Sequence, residues 1–158
     1  MTAASSHVRA RVWFTDGPKA IYPEQTHRSA LLPPALTGVC FSGGGTRSYA
    51  ATVGQLRGLP ATGLINRVGY LSAVSGGAWA ATSYTYYPPT EGIDSDLDLL
   101  GAQTDPEELS LGALSQLDPR SLGFAATGDF LAALAAARAV GSVGRDAVWA
   151  RAVGRTFL

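Results

Sequence analysis

Ser75 lies in the segment Ala-Val-Ser-Gly-Gly, residues 73–77, between an apolar run and a stretch free of helix-breaking residues. A serine at such a junction occupies a nucleophile elbow, a strained turn that exposes the hydroxyl at the edge of a sheet. The elbow requires small residues two positions before and after the serine. Gly77 meets this requirement, and Ala73 meets it with one methyl group where glycine is usual. The pattern predicts a serine nucleophile for acyl transfer, although an ordinary Ser-Gly-Gly turn also explains these five residues.

A glycine-rich segment at residues 42–47, Ser-Gly-Gly-Gly-Thr-Arg, is the second candidate site. Successive glycines leave backbone N–H groups unhindered, and at the start of a helix such groups bind an oxyanion or a phosphate. A flexible linker is a poorer explanation, because the glycines separate an apolar run from a helical pattern. A nucleotide-phosphate loop would need a nearby lysine, but the one lysine is Lys19, and a dinucleotide motif would need glycine where Ser48 stands. The segment therefore favours an oxyanion site.

Two strand and helix pairs must position these segments. Residues 38–41 and 68–74 are short apolar runs typical of buried strands. Helices are predicted over 47–59, where Pro60 stops the periodic pattern, and over 78–87. This order predicts an α/β fold with a parallel sheet and a right-handed crossover, in which both strands end at one edge. Ligand sites of such sheets lie at that edge, so we expect the two glycine-rich segments to converge.

Aspartates mark three further helix starts. Asp105 precedes Pro-Glu-Glu, Asp129 precedes an alanine-rich run to Val140, and Asp146 precedes a segment whose apolar residues crowd one side. An acidic triplet at residues 94–98 is similar to the start of a calcium loop. It lacks the required glycine and closing glutamate, so we interpret it as a solvated acidic loop and predict no metal site.

The composition excludes several classes of protein. Twelve basic and twelve acidic residues cancel, so no broad electrostatic field favours nucleic acid. Cys40 is the single cysteine, which is typical of a protein from a reducing compartment. The N-terminal segment does not match a signal peptide, and no run approaches the roughly 18 apolar residues of a spanning helix. We expect a cytoplasmic protein, with peripheral membrane contact where it meets lipid.

Three blocks together are similar to one known family. They are residues 38–47, Gly-Val-Cys-Phe-Ser-Gly-Gly-Gly-Thr-Arg, residues 54–57, Gly-Gln-Leu-Arg, and residues 73–79, Ala-Val-Ser-Gly-Gly-Ala-Trp. Their order and spacing resemble the signature of cytosolic phospholipase A2 and its patatin-like relatives, most strongly over residues 38–87. The resemblance implies a carboxylic ester hydrolase acting on phospholipids or lysophospholipids at a membrane surface, without a cofactor. Residues 1–37 hold one short apolar patch between turn residues, so we expect an irregular lead-in there. The resemblance implies that 38–158 are the N-terminal part of the catalytic domain, which we expect to be incomplete at its C-terminus.

The resemblance assigns roles to five residues. Ser75 becomes the nucleophile, Gly44 and Gly45 become the oxyanion donors, and Gly43 supports their turn. Arg47 is placed near the phosphate head group, although a surface arginine of the helix explains it as well. Aromatic residues after Ser75, such as Trp79 and Tyr84, receive no role, because aromatic residues on one helix more often belong to a core.

The general base is missing from this pattern. The family that this chain resembles uses a Ser-Asp dyad, and the aspartate lies in an Asp-Gly motif later in the chain. None of the seven aspartates after Ser75 precedes a glycine, and Asp16-Gly17 lies upstream, where it is better interpreted as a turn. Both histidines, His7 and His27, also precede Ser75. We therefore expect the catalytic aspartate beyond residue 158, and the alternative is an inactive, lipid-binding fragment or pseudoenzyme of the same fold.

Overall fold

A parallel pair of strands forms the sheet in the computed structural model, which describes residues 37–139 and 144–157. Strand β1, Thr37–Phe41, pairs with β2, Val68–Ala73, so that Gly38 lies opposite Tyr70 and Phe41 opposite Ala73. The parallel pairing confirms the prediction. The lead-in expected over 1–37 lies outside the described residues, except for Thr37 at the start of β1.

Helix α1, Thr46–Ala61, forms the crossover between the strands. It buries Tyr49, Val53 and Leu56, which recur at helical spacing and therefore share one face. The helix ends two residues later than predicted, because it continues through Pro60 to Ala61 with the proline in its last turn. The helix end is satisfied by Thr62, whose hydroxyl donates to the Gly58 carbonyl at 2.8 Å.

Helix α2, Gly76–Tyr86, follows β2 directly and packs against α1. Its buried residues are all small: Gly76, Gly77, Ala80 and Ala81. Small side chains let the helix backbone approach its neighbours closely, which brings the start of α2 against the loop after β1. Helix α2 begins two residues before the predicted start at residue 78.

Short elements follow in the second half of the described chain. They are α3 Asp96–Leu100, a 3₁₀ turn Pro106–Glu108, α4 Leu111–Leu114, α5 Leu122–Ala125, α6 Phe130–Ala139 and α7 Arg145–Phe157; a further 3₁₀ turn, Ile65–Arg67, precedes β2.

Side-chain caps explain most of these helix starts. Asp129 accepts from the Ala132 N–H at 2.9 Å, as predicted for α6. Asp105 also caps as predicted, but the element behind it ends after a single 3₁₀ turn. Two predictions were wrong. Helix α7 begins at Arg145, before Asp146. The acidic segment is solvent-exposed as predicted, but Asp96 and Asp98 lie in helix α3, capped by Ser95, and only Asp94 precedes it.

An aromatic cluster joins the last helix to the core. Phe157 is only 2% exposed and its ring lies 4.5 Å from that of Tyr49 and 5.1 Å from that of Trp79, measured between centroids. Phe130 and Trp149 extend the cluster, with ring centroids 5.1 Å apart. The aromatic residues of α2 thus behave partly as core, since Trp79 packs inside while Tyr86 is largely exposed. Within residues 37–139 and 144–157, no helix has both the length and the apolar character needed to cross a bilayer.

Candidate active site

Ser75 occupies the sharp turn between β2 and α2. Its backbone has φ 54° and ψ −127°, and it is the one non-glycine residue with positive φ in the described part of the chain. Such a conformation costs about 1–3 kcal/mol for a residue with a side chain, and it occurs mainly where function requires it. The side chain is exposed. This is the backbone geometry that the nucleophile-elbow pattern predicts.

The glycine-rich segment lies between β1 and α1, at the same edge of the sheet. Gly44 and Gly45 have φ values of 149° and 66°, which glycine adopts without strain. Gly45 is also the residue immediately before helix α1. The N–H groups of Gly43, Gly44 and Gly45 donate to no group within the described ranges. These amides are therefore available to an incoming negative oxygen.

The two segments converge closely. A β-carbon placed on Gly43 would lie 3.0 Å from Cβ of Ser75. One placed on Gly77 would lie 2.6 Å from the Ser42 carbonyl oxygen, and one on Gly76 would overlap the Gly45 carbonyl group. Real β-carbons essentially never come within 3.0 Å of another atom, so Gly76 and Gly77 are needed for space alone, whereas a side chain at Gly43 would require Ser75 to shift by a few tenths of an ångström. The convergence expected from the βαβ order is confirmed.

Ser48 also contributes to this edge, and sequence analysis did not assign it a structural role. Its hydroxyl, in the first turn of α1, donates a short hydrogen bond to the Ser42 carbonyl oxygen. This bond ties the beginning of the glycine segment to the helix that follows it. Ser48 lies six positions after Ser42, and this spacing predicts a contact only if the loop between the two residues folds back. The elbow pattern also does not predict the need for glycine at position 76, because it requires a small residue only at Gly77.

Arg47 is exposed in the first turn of α1. Its guanidinium makes no hydrogen bond or ion pair with another described residue. The position leaves the side chain available to a ligand at the same end of α1 as the glycine segment.

Ser75 Oγ has no hydrogen-bond partner among residues 37–139 and 144–157. Most downstream aspartates with described side chains are engaged elsewhere. Asp96 accepts from the Tyr84 hydroxyl at 2.6 Å, Asp98 accepts from Ser95 at 2.7 Å, and Asp118 pairs with Arg120. The described residues also contain no group of three side chains suited to a metal ion.

Two tyrosine hydroxyls near these helices have perturbed acidity. Burial raises the pKa of Tyr49, whose hydroxyl lies 3.5 Å from the Leu122 carbonyl oxygen. Burial also raises the pKa of Tyr84, and the hydrogen bond to the Asp96 carboxylate raises it further. Both hydroxyls therefore stay protonated at neutral pH and serve as hydrogen-bond donors rather than bases.

Comparison with known proteins finds local similarity to one group of enzymes. The chain is 46% identical over 57 residues to cytosolic phospholipase A2 gamma of Mus musculus, a match that covers 35% of this chain and 10% of that relative. Cytosolic phospholipase A2 zeta of Homo sapiens is 36% identical over 74 residues, or 47% of this chain and 9% of the relative. Part of the chain is similar to cytosolic phospholipases A2.

This similarity is confined to a segment. A third relative, cytosolic phospholipase A2 beta of Homo sapiens, is 36% identical over 80 residues, which are 48% of this chain and 10% of that protein. The chain spans about a tenth of the length of the curated relatives that it matches. No protein-family model matches the chain, and no solved structure matches it. The resemblance inferred from the three sequence blocks is supported at this coarse level.

The groups around Ser75 are arranged to stabilise a negatively charged oxygen. An exposed serine hydroxyl lies beside backbone amides that have no internal partner, and α2 begins directly behind it. The helix N-terminus and the free amides both favour a developing negative charge. Such an arrangement suits attack on an ester or thioester carbonyl more than it suits redox or nucleotide chemistry.

Proposed function

We propose that this chain carries the nucleophile and the oxyanion site of a serine acyl hydrolase that cleaves phospholipid or lysophospholipid esters. The observation that carries the proposal is the strained backbone of Ser75 against the Gly43–Gly45 segment. An ordinary turn would not need φ 54° at a serine, because a glycine there would avoid the strain.

The reaction begins when Ser75 Oγ attacks the acyl carbonyl carbon and transfers its proton to a general base. The N–H groups of Gly44 and Gly45 stabilise the oxyanion, with Gly43 supporting the turn. The intermediate collapses to an ester on Ser75, and the leaving alcohol takes the proton. Water, deprotonated by the same base, then hydrolyses the acyl-enzyme and releases a free fatty acid.

The general base in this scheme is an aspartate outside these 158 residues, since no aspartate after Ser75 stands in the expected Asp-Gly motif. Loss of one oxyanion donor typically costs about 2.7–4 kcal/mol of transition-state stabilisation, which is the scale of what the glycine segment contributes. Without the aspartate to accept the serine proton, the glycine segment and substrate binding would support only residual turnover.

The lipid substrate class is supported by the similar proteins, which are cytosolic phospholipases A2. The exposed, unpaired Arg47 in the first turn of α1 suits a phosphate head group, because guanidinium binds phosphate with two parallel hydrogen bonds. We place this activity in the cytoplasm, at the surface of a membrane.

A second candidate function is lipid binding without turnover, by an inactive fragment or pseudoenzyme of the same fold. The observation that favours it is the absence of any described hydrogen-bond partner for Ser75 Oγ. An unactivated serine reacts slowly, whereas the glycine segment and Arg47 would still bind a phospholipid.

A fluorophosphonate probe tests the proposal on the full chain and on any longer natural form. We expect covalent labelling of wild type, detected by intact mass, and loss of labelling in Ser75→Ala. Ser72→Ala is the matched control, because Ser72 is also exposed at the end of β2 and should leave labelling unchanged. Labelling that persists in Ser75→Ala would refute the nucleophile. Absence of labelling in every form, with binding to phosphatidylcholine vesicles retained, would support the non-catalytic alternative.

A further inference from the structure

A cleft lies away from Ser75, toward the C-terminal end of helix α2. It has a volume of about 580 Å³ and is lined by the end of α2, by residues 119–125 and by the end of α7. Thr82, the first α2 residue on its wall, is seven positions after Ser75. At the helical rise this separation is about 10 Å along the axis, so the cleft is distinct from the candidate active site. Its volume falls within the range of about 300–1,000 Å³ typical of small-molecule sites.

Apolar groups line the sides of the cleft. Pro88 is exposed and Tyr87 and Ala125 are half-buried, so a ligand can contact them, whereas Leu122 and Phe157 are 4% and 2% exposed and lie almost wholly beneath the surface. The Ser83 hydroxyl also lines the cleft, but it donates to the Phe157 carbonyl oxygen at 2.9 Å, so its hydrogen is already used. The sides of the cleft therefore offer an extended ligand apolar contacts next to the polar rim.

The rim of the cleft is cationic at one point. Arg155, on α7, is exposed and makes no hydrogen bond or ion pair with the other described residues. Arg120, the other arginine in the lining, is already neutralised, because its guanidinium lies 2.7 Å from the Asp118 carboxylate. It also donates to the Glu91 carbonyl oxygen at 2.5 Å. One free positive charge therefore lies at the rim, next to the apolar sides of the cleft.

Two hydroxyl groups complete this rim. Thr82 and Tyr86 line the cleft and are exposed, and their hydroxyls have no partner among the residues that the structure places. Donors of this kind, together with a guanidinium, are suited to the several lone pairs of a carboxylate or phosphate.

We propose that this cleft binds a single-chain anionic amphiphile, whose carboxylate or phosphate pairs with Arg155 while its hydrocarbon chain lies along Tyr87, Pro88 and Ala125. A fatty acid and a single-chain phospholipid both combine an anionic head group with one hydrocarbon chain, so either ligand matches the cationic rim and the apolar sides of the cleft. The proposal rests on the residues that line the cleft and not on the proposed hydrolase activity.

Isothermal titration calorimetry on the full chain tests the proposal, with ligands kept below their critical micelle concentrations. Dodecanoate and dodecyl phosphate distinguish a carboxylate from a phosphate head group. Neutral dodecyl maltoside tests the need for charge, and acetate and inorganic phosphate test the need for a chain. We expect at least one of the two anionic amphiphiles to bind at least about tenfold more tightly than the neutral or chainless compounds, because only these ligands combine a charge for Arg155 with a chain for the apolar sides.

Matched arginine variants locate the binding. Arg155→Gln should weaken binding of the anionic amphiphile about tenfold, and Arg155→Glu should weaken it further. Arg151→Gln is the control, because Arg151 lies one turn earlier on α7, is also exposed and does not line the cleft. Arg47→Gln should bind the amphiphile like wild type, which separates this site from the candidate active site. Equal binding by Arg155→Gln and wild type, equal weakening by Arg151→Gln, or binding that is lost in Arg47→Gln would each overturn the proposal, as would failure of both anions to bind.

Discussion

Gly43 faces Ser75 so closely that a β-carbon on the glycine would lie 3.0 Å from Cβ of the serine. The residues belong to different loops, one after each strand of the parallel pair. Their proximity follows from the parallel pairing, because the crossover through α1 returns the chain so that both strands end at the same edge of the sheet. The backbone amides beside Gly43 and the hydroxyl of Ser75 therefore share one small region of space.

Gly43→Ala should slow fluorophosphonate labelling of Ser75 by about tenfold to a hundredfold, since small displacements of reacting groups have effects of that size. Gly43 does not have a positive φ, so the effect would arise from crowding rather than from backbone strain. The labelling rate is measured by intact mass over time, and circular dichroism verifies that the variant is folded.

Gly54→Ala provides the control for this substitution. Gly54 lies within α1 with open space around the position of a β-carbon, so alanine there should leave the labelling rate unchanged. An unaltered rate in Gly43→Ala would show that the loop does not determine the position of the serine.

Gly76→Ala should destabilise the fold, because its methyl group would overlap the Gly45 carbonyl group and lie 3.0 Å from Gly45 Cα. Overpacking of this kind typically costs about 1–3 kcal/mol in the free energy of unfolding. Urea denaturation measures the loss. Gly154→Ala, on an exposed and uncrowded position of α7, should instead stabilise by about 0.5–1 kcal/mol. Equal stabilities of the two variants would contradict the close approach.

Phe157→Ala should remove about 3–5 kcal/mol from the free energy of unfolding, the usual cost of deleting a buried aromatic ring. The ring contacts Tyr49, Trp79 and Phe130, so its loss leaves a cavity between α7 and the core. Leu131→Ala is the control. Leu131 is 74% exposed, and its truncation should change stability by no more than about 0.5 kcal/mol. A small loss in Phe157→Ala would mean that α7 does not dock on this core in solution.

The pairing of Asp118 with Arg120 predicts a dependence on pH. Hydrogen bonds from the Arg120 side chain and backbone lower the pKa of Asp118 from 3.8 to about 2. Because the folded pKa lies below the unfolded value, the pair stabilises the fold at pH values above 3.8. This contribution is lost as the pH falls through about 2. The difference in unfolding free energy between wild type and Asp118→Asn should therefore be constant near neutrality and shrink between pH 3.8 and 2. A difference that grows on acidification would contradict this assignment, and a carboxyl NMR titration measures the pKa directly.

Local signals predicted the first half of the fold well. Glycines, prolines and apolar runs placed β1, β2, α1 and α2 within two residues of their observed bounds. The later region was harder, because its elements are short and depend on caps that compete with one another. Asp146 has the chemistry of a cap, yet α7 begins one residue before it. The acidic segment has loop composition, yet Ser95 starts a helix there.

The sequence by itself determined which residues have the chemistry for a site and the order of the elements that carry them. Ser75, the glycine run and the parallel strand pair follow from local composition and chain order, because strand and helix preferences act over a few residues. Only the tertiary structure decided which atoms meet. The contact of Gly76 with Gly45, the Ser48 hydrogen bond to Ser42 and the cleft beneath Arg155 depend on how α1, α2 and α7 pack. Those contacts join residues far apart in the chain, and packing of complete elements sets their distances, which no local pattern encodes.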